Sequence, residues 1–251
     1  MKRICLVFLL MIVAASLVAQ AGKAKHPLLR GIYMINLEGD TAEFETFKYD
    51  KLNRCVQIVS QTANDKYIKS FSYPDSRTVV VTTSNDISET VEFYSLNEAG
   101  QAITYNYIYQ NAEKTDTVVS RIIHLSNGFA VKLEDYDYEI SNKTDDELKL
   151  LGINPEEFIT VSEGNVTIDM SGSVFEYHKN QRNTIGKHNQ GIYYLGVDNK
   201  NPVVSVTELA DEFSPGMYTG YNYYFDNQGR IIKQSFVLSD YWYNSFDYVD
   251  Q

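Results

Sequence analysis

Apolar and polar residues alternate with a period of two along most of this chain. Ile103, Tyr105, Tyr107 and Tyr109 interleave with Thr104, Asn106 and Ile108, and Tyr67, Phe71 and Tyr73 keep the same spacing. That period places one set of side chains on one face of a pleated strand. Val79, Val80 and Val81 form an unbroken apolar run, which predicts a strand covered on both faces. Later, Tyr221, Tyr223 and Phe225 lead into a turn, and Ile232, Phe236 and Leu238 follow it. Twenty Tyr and twelve Phe suit such surfaces, because aromatic side chains pack well on a pleat.

The strands are punctuated by a repeated turn pattern. Tyr49-Asp50-Lys51-Leu52-Asn53-Arg54, Leu96-Asn97-Glu98-Ala99-Gly100-Gln101 and Phe225-Asp226-Asn227-Gln228-Gly229-Arg230 each carry Asp or Asn, two free positions, Gly or Asn, then Arg or Gln. The first side chain can accept backbone N–H groups and open a type I turn. The fourth residue then needs positive φ, which Gly tolerates freely and Asn better than most. Together they predict hairpins closed by a bulge. Asp169-Met170-Ser171-Gly172 is a weaker fourth copy, Pro74 to Arg77 breaks another run, and Asn127-Gly128 reads as a two-residue hairpin loop.

One stretch departs from this pattern. Thr144-Asp145-Asp146-Glu147 is a capping box, Leu148, Leu150 and Leu151 follow as an apolar stripe, and Gly152 is placed to end a helix. Asn154-Pro155 opens a second short turn, with Pro at its favoured first position. A third, weaker helix is predicted near Thr207 to Phe213. The fold class expected is all-β: an antiparallel hairpin meander forming a strongly twisted sheet or partly open barrel, with a short helical insert covering an edge or an end. Residues 22–251 read as a single all-β domain, with the insert 144–158 as its one internal boundary.

Residues 1–21 read as a signal peptide. Lys2 and Arg3 precede the apolar run Ile4 to Val18, and Ala19-Gln20-Ala21 offers the small residues of a cleavage site. The run is too short for a membrane-spanning helix, so no transmembrane span is expected after cleavage. The formal net charge is −11, and it becomes more negative once Lys2 and Arg3 leave. That balance disfavours nucleic acid and anionic lipid as partners. With Cys5 removed, Cys55 is the remaining cysteine; a disulfide within the chain is then excluded, and Val56 and Ile58 beside it suggest a small core residue.

Candidate chemistry is sparse. Asp135, Asp137 and Glu139 alternate with Tyr136, Tyr138 and Ile140, so a strand would put three acids on one face. That face is either a cation site or acid pair, or a solvated surface opposite buried tyrosines. His26, His124, His178 and His188 have no metal-ligand spacing, and the latter two lie in a basic, Asn-rich stretch that reads as an exposed loop. No Gly-x-Ser-x-Gly elbow or phosphate loop occurs. Catalytic residues, metals and cofactors are therefore not expected. The C-terminal aromatics are the strongest binding candidates. Tyr241, Trp242 and Tyr243 are consecutive, so a strand must turn Trp242 away from its neighbours. Exposed rings there could stack on sugar faces; the alternative is cross-strand packing.

At Tyr49-Asp50…Asn53-Arg54 and Phe225-Asp226…Gly229-Arg230 the chain resembles the YD-repeat, or Rhs-like, hairpin proteins. The phrase Phe93 to Gln101 resembles exported Bacteroidetes proteins of unknown function with degenerate repeats of this kind. The resemblance implies hairpin architecture and carries over no active site, since the motif consists of turn residues. The function expected is that of an exported, non-enzymatic binding or scaffolding protein of the bacterial envelope. It would act in the periplasm or at the cell surface, with a glycan or another envelope component as partner. The alternative is a polysaccharide-acting hydrolase, for which Asp135, Asp137, Glu176 and Asp247 are the carboxylates to inspect.

Overall fold

The computed structural model describes residues 27–110, 115–208, 216–237 and 239–249. The expected signal peptide (residues 1–21), Cys5, His26, Leu238 and residues 209–213 of the third expected helix lie outside them. Sixteen strands are present among the described residues. They begin with β1 (Leu29–Asn36), β2 (Thr41–Tyr49), β3 (Cys55–Gln61), β4 (Lys66–Asp75), β5 (Thr78–Ser84) and β6 (Glu89–Leu96). Next come β7 (Ala102–Gln110), β8 (Thr115–His124), β9 (Ala130–Lys132), β10 (Thr160–Ser162) and β11 (Asn165–Ile168). The last are β12 (Val174–Tyr177), β13 (Val203–Glu208), β14 (Met217–Phe225), β15 (Ile231–Phe236) and β16 (Ser239–Tyr248). Two short α-helices, α1 (Leu133–Tyr136) and α2 (Asp145–Leu150), interrupt them.

The strands form one antiparallel sheet in the order β10-β11-β12-β13-β14-β15-β16-β1-β2-β3-β4-β5-β6-β7-β8-β9. Every neighbour is consecutive in sequence except β16 and β1, which pair from Leu29↔Tyr248 to Asn36↔Trp242. The sheet is open, as expected, with β9 and β10 at its edges.

The repeated turns close the hairpins as their residues require. Asp50 Oδ1 accepts the amides of Leu52 and Arg54 at 2.8 and 2.9 Å, Asp50 Oδ2 accepts Arg54 Nε at 2.7 Å, and Asn53 sits at φ 60°. Asp226 repeats that arrangement with Gln228 and Arg230, and Gly229 is at φ 74°. Asn97 and Asp169 do the same in their turns. Asn36 to Asp40 is a further copy, hidden from the sequence pattern because Asp40 stands where Arg or Gln was required. The Asn127-Gly128 turn is a correction. Leu125 and Phe129 close it as a three-residue loop with only Gly128 at positive φ, so it belongs to the same bulged type and not to the two-residue type.

Cys55, Phe71, Val79, Val81, Tyr94 and Tyr105 are buried, along with residues of β1, β2, β8, β15 and β16, in one cluster. A single core reached from so many strands requires the sheet to curl around it. Val80 points outward and is half-buried, so the Val79–Val81 strand is covered on one face and not two. The centre of the core is the segment 178–202, which carries no regular strand. Tyr194 and Asn189 are each 1% exposed. The expected exposed loop is therefore two-sided: Thr184, Asn189 and Tyr194 plug the interior, while Lys179 and Arg182 are exposed as expected. Several of its polar groups find partners within the protein: Lys187 Nζ donates to the carbonyls of Leu195 and Val197 at 2.6 and 2.9 Å, and the Ala102 amide donates to Tyr194 O at 3.0 Å, whereas the Tyr194 hydroxyl and His178 Nδ1 are buried without one among the described residues.

The helical insert joins the two edge strands. Thr144 and Glu147 form both bonds of the capping box, and Gly152 takes φ 71° beyond the helix end. Leu148 is buried, whereas Leu150 and Leu151 are exposed, so only one residue of the expected stripe reaches the core. Leu148 packs with Leu133, Ile140 and Phe158, against Val131 of β9 and Val161 of β10. The seam left open by hydrogen bonding is thus filled by apolar contact. Arg121 of β8 fastens the insert through the Lys143 carbonyl and an Asp145 contact of 2.7 Å.

Two expectations fail nearby. Asp135, Asp137 and Glu139 lie on α1 and a following 3-10 turn, not a strand, and Asp137 is spent capping the Glu139 amide at 2.8 Å. Tyr136 and Tyr138, expected to be buried, are 47% and 64% exposed. Thr207 and Glu208 extend β13 instead of starting a helix, because they pair with Tyr218 and Met217.

Candidate binding cleft

The face of β1 that points into the curl carries Ile32, Met34 and Asn36, which pair with Phe246, Asn244 and Trp242 of β16. Together with the same face of β14, β15, β2 and β3, the first two pairs line a cavity of about 560 Å³. This is within the common range for small-molecule sites, roughly 300–1,000 Å³. Its aromatic wall is Tyr221, Tyr223 and Phe246. Tyr221 also leans on Phe236, ring centroids 5.5 Å apart.

A chain of amides crosses the wall. Asn244 Nδ2 donates to Gln234 Oε1 at 3.0 Å, and Gln234 Nε2 donates to the Tyr223 hydroxyl at 3.0 Å. Burial pushes the Tyr223 phenol up to about 12, against the smaller opposing effect of the Gln234 bond. It therefore stays a neutral hydroxyl whose proton is free to be donated. On the opposite wall Glu43 and Glu45 share the inner face of β2, roughly 7 Å apart as alternate strand positions. Glu45 accepts from Ser60 Oγ at 2.8 Å. A smaller cavity of about 360 Å³ shares Ile32, Glu45, Ser60 and Ile185 with the first and extends it toward Lys69. Such a cleft offers alternating donors and acceptors over a floor of rings, the chemistry that receives a hydroxyl-rich ligand.

Trp242 is the next residue on the cleft face of β16, at the rim, and is 38% exposed. Tyr241 and Tyr243 lie on the other face. Tyr241 is 70% exposed, and Tyr243 holds Lys233 Nζ 3.8 Å from its ring centroid. The three rings therefore occupy two surfaces, and Trp242 alone shares the strand face of Asn244 and Phe246. The four inspected acids are not gathered. Asp135 sits on α1 and Asp137 at its end, Glu176 on β12 accepts from Ser205 Oγ at 2.8 Å, and Asp247 on β16 pairs with Arg30 at 3.5 Å. Among the described residues no group of three His, Cys, Asp or Glu is arranged to hold a metal ion. No helix among them is long and apolar enough to cross a membrane. Glu43, Glu45, Gln234 and Asn244 went unnoticed in the sequence, although the alternation Glu43-Phe44-Glu45-Thr46-Phe47 marks the acids as sharing the face of buried Phe47.

The chain matches no protein-family model and no curated protein. Among solved structures, a porin-like protein from Bacteroides uniformis ATCC 8492 superposes with a TM-score of 0.52 at 15% identity, covering 88% of this chain and 98% of that one. The two share a fold. A porin-like protein from Bacteroides vulgatus ATCC 8482 aligns over 90% of this chain and 100% of that one, at 7% identity and a TM-score of 0.30. The first likeness, at 15% identity, speaks for architecture alone, and the second carries no argument.

Proposed function

We propose that this is an exported, non-enzymatic binding protein of the bacterial envelope whose interior cleft holds a neutral, hydroxyl-rich ligand such as a short oligosaccharide. The observation that carries this reading is the Asn244–Gln234–Tyr223 chain facing Glu43 and Glu45 across an aromatic floor. The fold shared with a porin-like protein of Bacteroides supports an envelope setting. The outward positions Lys233, Ser235, Ser245 and Asp247 support a protein that stands free of lipid, since a membrane barrel turns an apolar band outward. The YD-repeat likeness fits the hairpin turns and adds nothing about ligand.

Trp242, the one tryptophan of the chain, is a built-in reporter at the rim. Its emission should shift on titration with neutral oligosaccharides. Asn244→Ala and Gln234→Ala should each weaken binding by about 2- to 10-fold, the worth of one neutral hydrogen bond. A blank titration across such a panel with well-folded protein would overturn the reading. The presence of Glu43 and Glu45 on one face of the cleft favours one second reading, a glycosidase that works with a carboxylate pair. It predicts release of reducing ends that Glu45→Gln abolishes; absence of cleavage by the native protein removes it.

A further inference from the structure

The other large cavity lies on the far side of the plug, at the end where the Asp50–Arg54 turn sits. It encloses about 1,150 Å³ and is bordered by Lys179, Arg182, Lys187, His188 and Lys200, with Asp198 as its one carboxylate. In a chain of formal charge −11 such a concentration of cations runs against the composition. Asp198, whose Oδ1 accepts the Lys187 amide at 2.7 Å, offsets one of the four Lys and Arg charges and leaves the cleft net positive. The Lys187 ammonium is itself tied to carbonyls of the plug. Lys179, Arg182 and Lys200 are exposed and make no ion pair with any described residue. Beside them stand the amides of Asn180 and Gln181 and the ring of Tyr193, which is 37% exposed.

The geometry points to a second binding site in this cleft for an acidic oligosaccharide of the uronate type. Several cations lining one elongated stretch of residues, 179–182 and 200, suit carboxylates repeated along a chain. Arg182 can take a carboxylate through two parallel N–H bonds, and Lys179 and Lys200 act as point charges. Asn180 and Gln181 can meet ring hydroxyls, and Tyr193 offers a face for a sugar ring. The site is lined by different residues from the interior cleft, Asn183 excepted, so each can fail without the other.

Calorimetric titration of the protein with penta-galacturonate, maltopentaose and pyrophosphate tests the assignment. Penta-galacturonate should bind, and the affinity should fall at about 0.5 M NaCl, where charges are screened within about 4 Å. Arg182→Gln combined with Lys200→Gln should weaken it by at least about ten-fold, since charge-assisted bonds are lost. The response of Trp242 to neutral sugars should not change. Both positions are exposed, so an unchanged thermal melt is expected, and Lys179→Glu gives an independent check with the same direction of effect. No heat with penta-galacturonate, undiminished affinity in the variants, equal binding of maltopentaose at this site, or tighter binding of pyrophosphate would each overturn the assignment.

Discussion

The backbone amide of Leu29 donates a 3.1 Å hydrogen bond to Oδ1 of Asn189, 160 positions further along the chain. The same oxygen accepts from the Tyr49 hydroxyl at 3.0 Å, while Asn189 Nδ2 donates to the carbonyls of Pro27 and Thr184 at 3.1 and 3.3 Å. One amide side chain thus satisfies groups from β1, β2 and the plug itself.

Replacing Asn189 with Ala strands several buried donors and acceptors at once. Each stranded group costs about 1–3 kcal/mol, so the loss should be about 3 kcal/mol or more. Asn180→Ala, on the exposed side of the same segment, should change stability by less than about 0.5 kcal/mol. Urea unfolding of the two variants makes the comparison, and equal midpoints would refute the role given to Asn189.

The turn carboxylates predict an acid limb to the stability profile. Burial opposes charge on Asp50 and Asp226, but the backbone amides they accept and their Arg54 and Arg230 partners override it, holding both below the ordinary value of 3.8. A carboxylate with a lowered folded pKa contributes stability above its unfolded pKa and loses it as pH falls through the folded one. Stability should therefore decline as pH drops below about 4. Asp50→Asn combined with Asp226→Asn should flatten that decline in urea midpoints measured across the acid range.

Burial pushes the Cys55 thiol up to about 11. The thiolate is the reactive form, so at about pH 8 the native protein lacking residues 1–21 should react with a disulfide reagent far more slowly than the unfolded chain. Rapid modification of the folded protein would show that Cys55 is accessible and that the core is looser than described.

Two glycines with similar backbone angles should respond differently to Ala. Gly100 is at φ 76° with open space around an added Cβ, so Gly100→Ala should cost about 1–2 kcal/mol. Gly196 is at φ 78°, and an added Cβ would stand 2.8 Å from Ala130 N and from Gly128 O. Neither backbone atom can move without disturbing the Phe129↔Gly196 bridge. Crowding of about 1–3 kcal/mol adds to the backbone cost in Gly196→Ala, a difference that thermal melts should resolve.

The hairpins were legible because turn chemistry is local. Asp50, Asn97, Asp169 and Asp226 each bond within four residues, and Asn53, Gly100, Gly172 and Gly229 supply the positive φ those bonds require. The plug was not legible, because residues 178–202 have no periodicity and their composition is that of a solvated loop. What buries Asn189 and Lys187 is partnership with distant backbone, which a sequence does not display. The cleft was half visible. Tyr221 and Tyr223 stood out as rings, but Glu43, Gln234 and Asn244 look the same on an inner face as on an outer one, and only pairing registers separate the two. Asp135, Asp137 and Glu139 failed for the opposite reason: a period of two over five residues is too short to distinguish a strand from two successive helical turns.

The pairing of β1 with β16 bears on biogenesis. One edge of β1 has no partner until β16, about 200 positions later, has been synthesised, and the bonds from Asn189 to Leu29 and Tyr49 arrive late as well. A ribosome-bound fragment can make early hairpins, but it cannot complete the shell or seat its central segment. Hairpins can therefore pair one by one as the chain grows, while the curl is completed only when β16 meets β1.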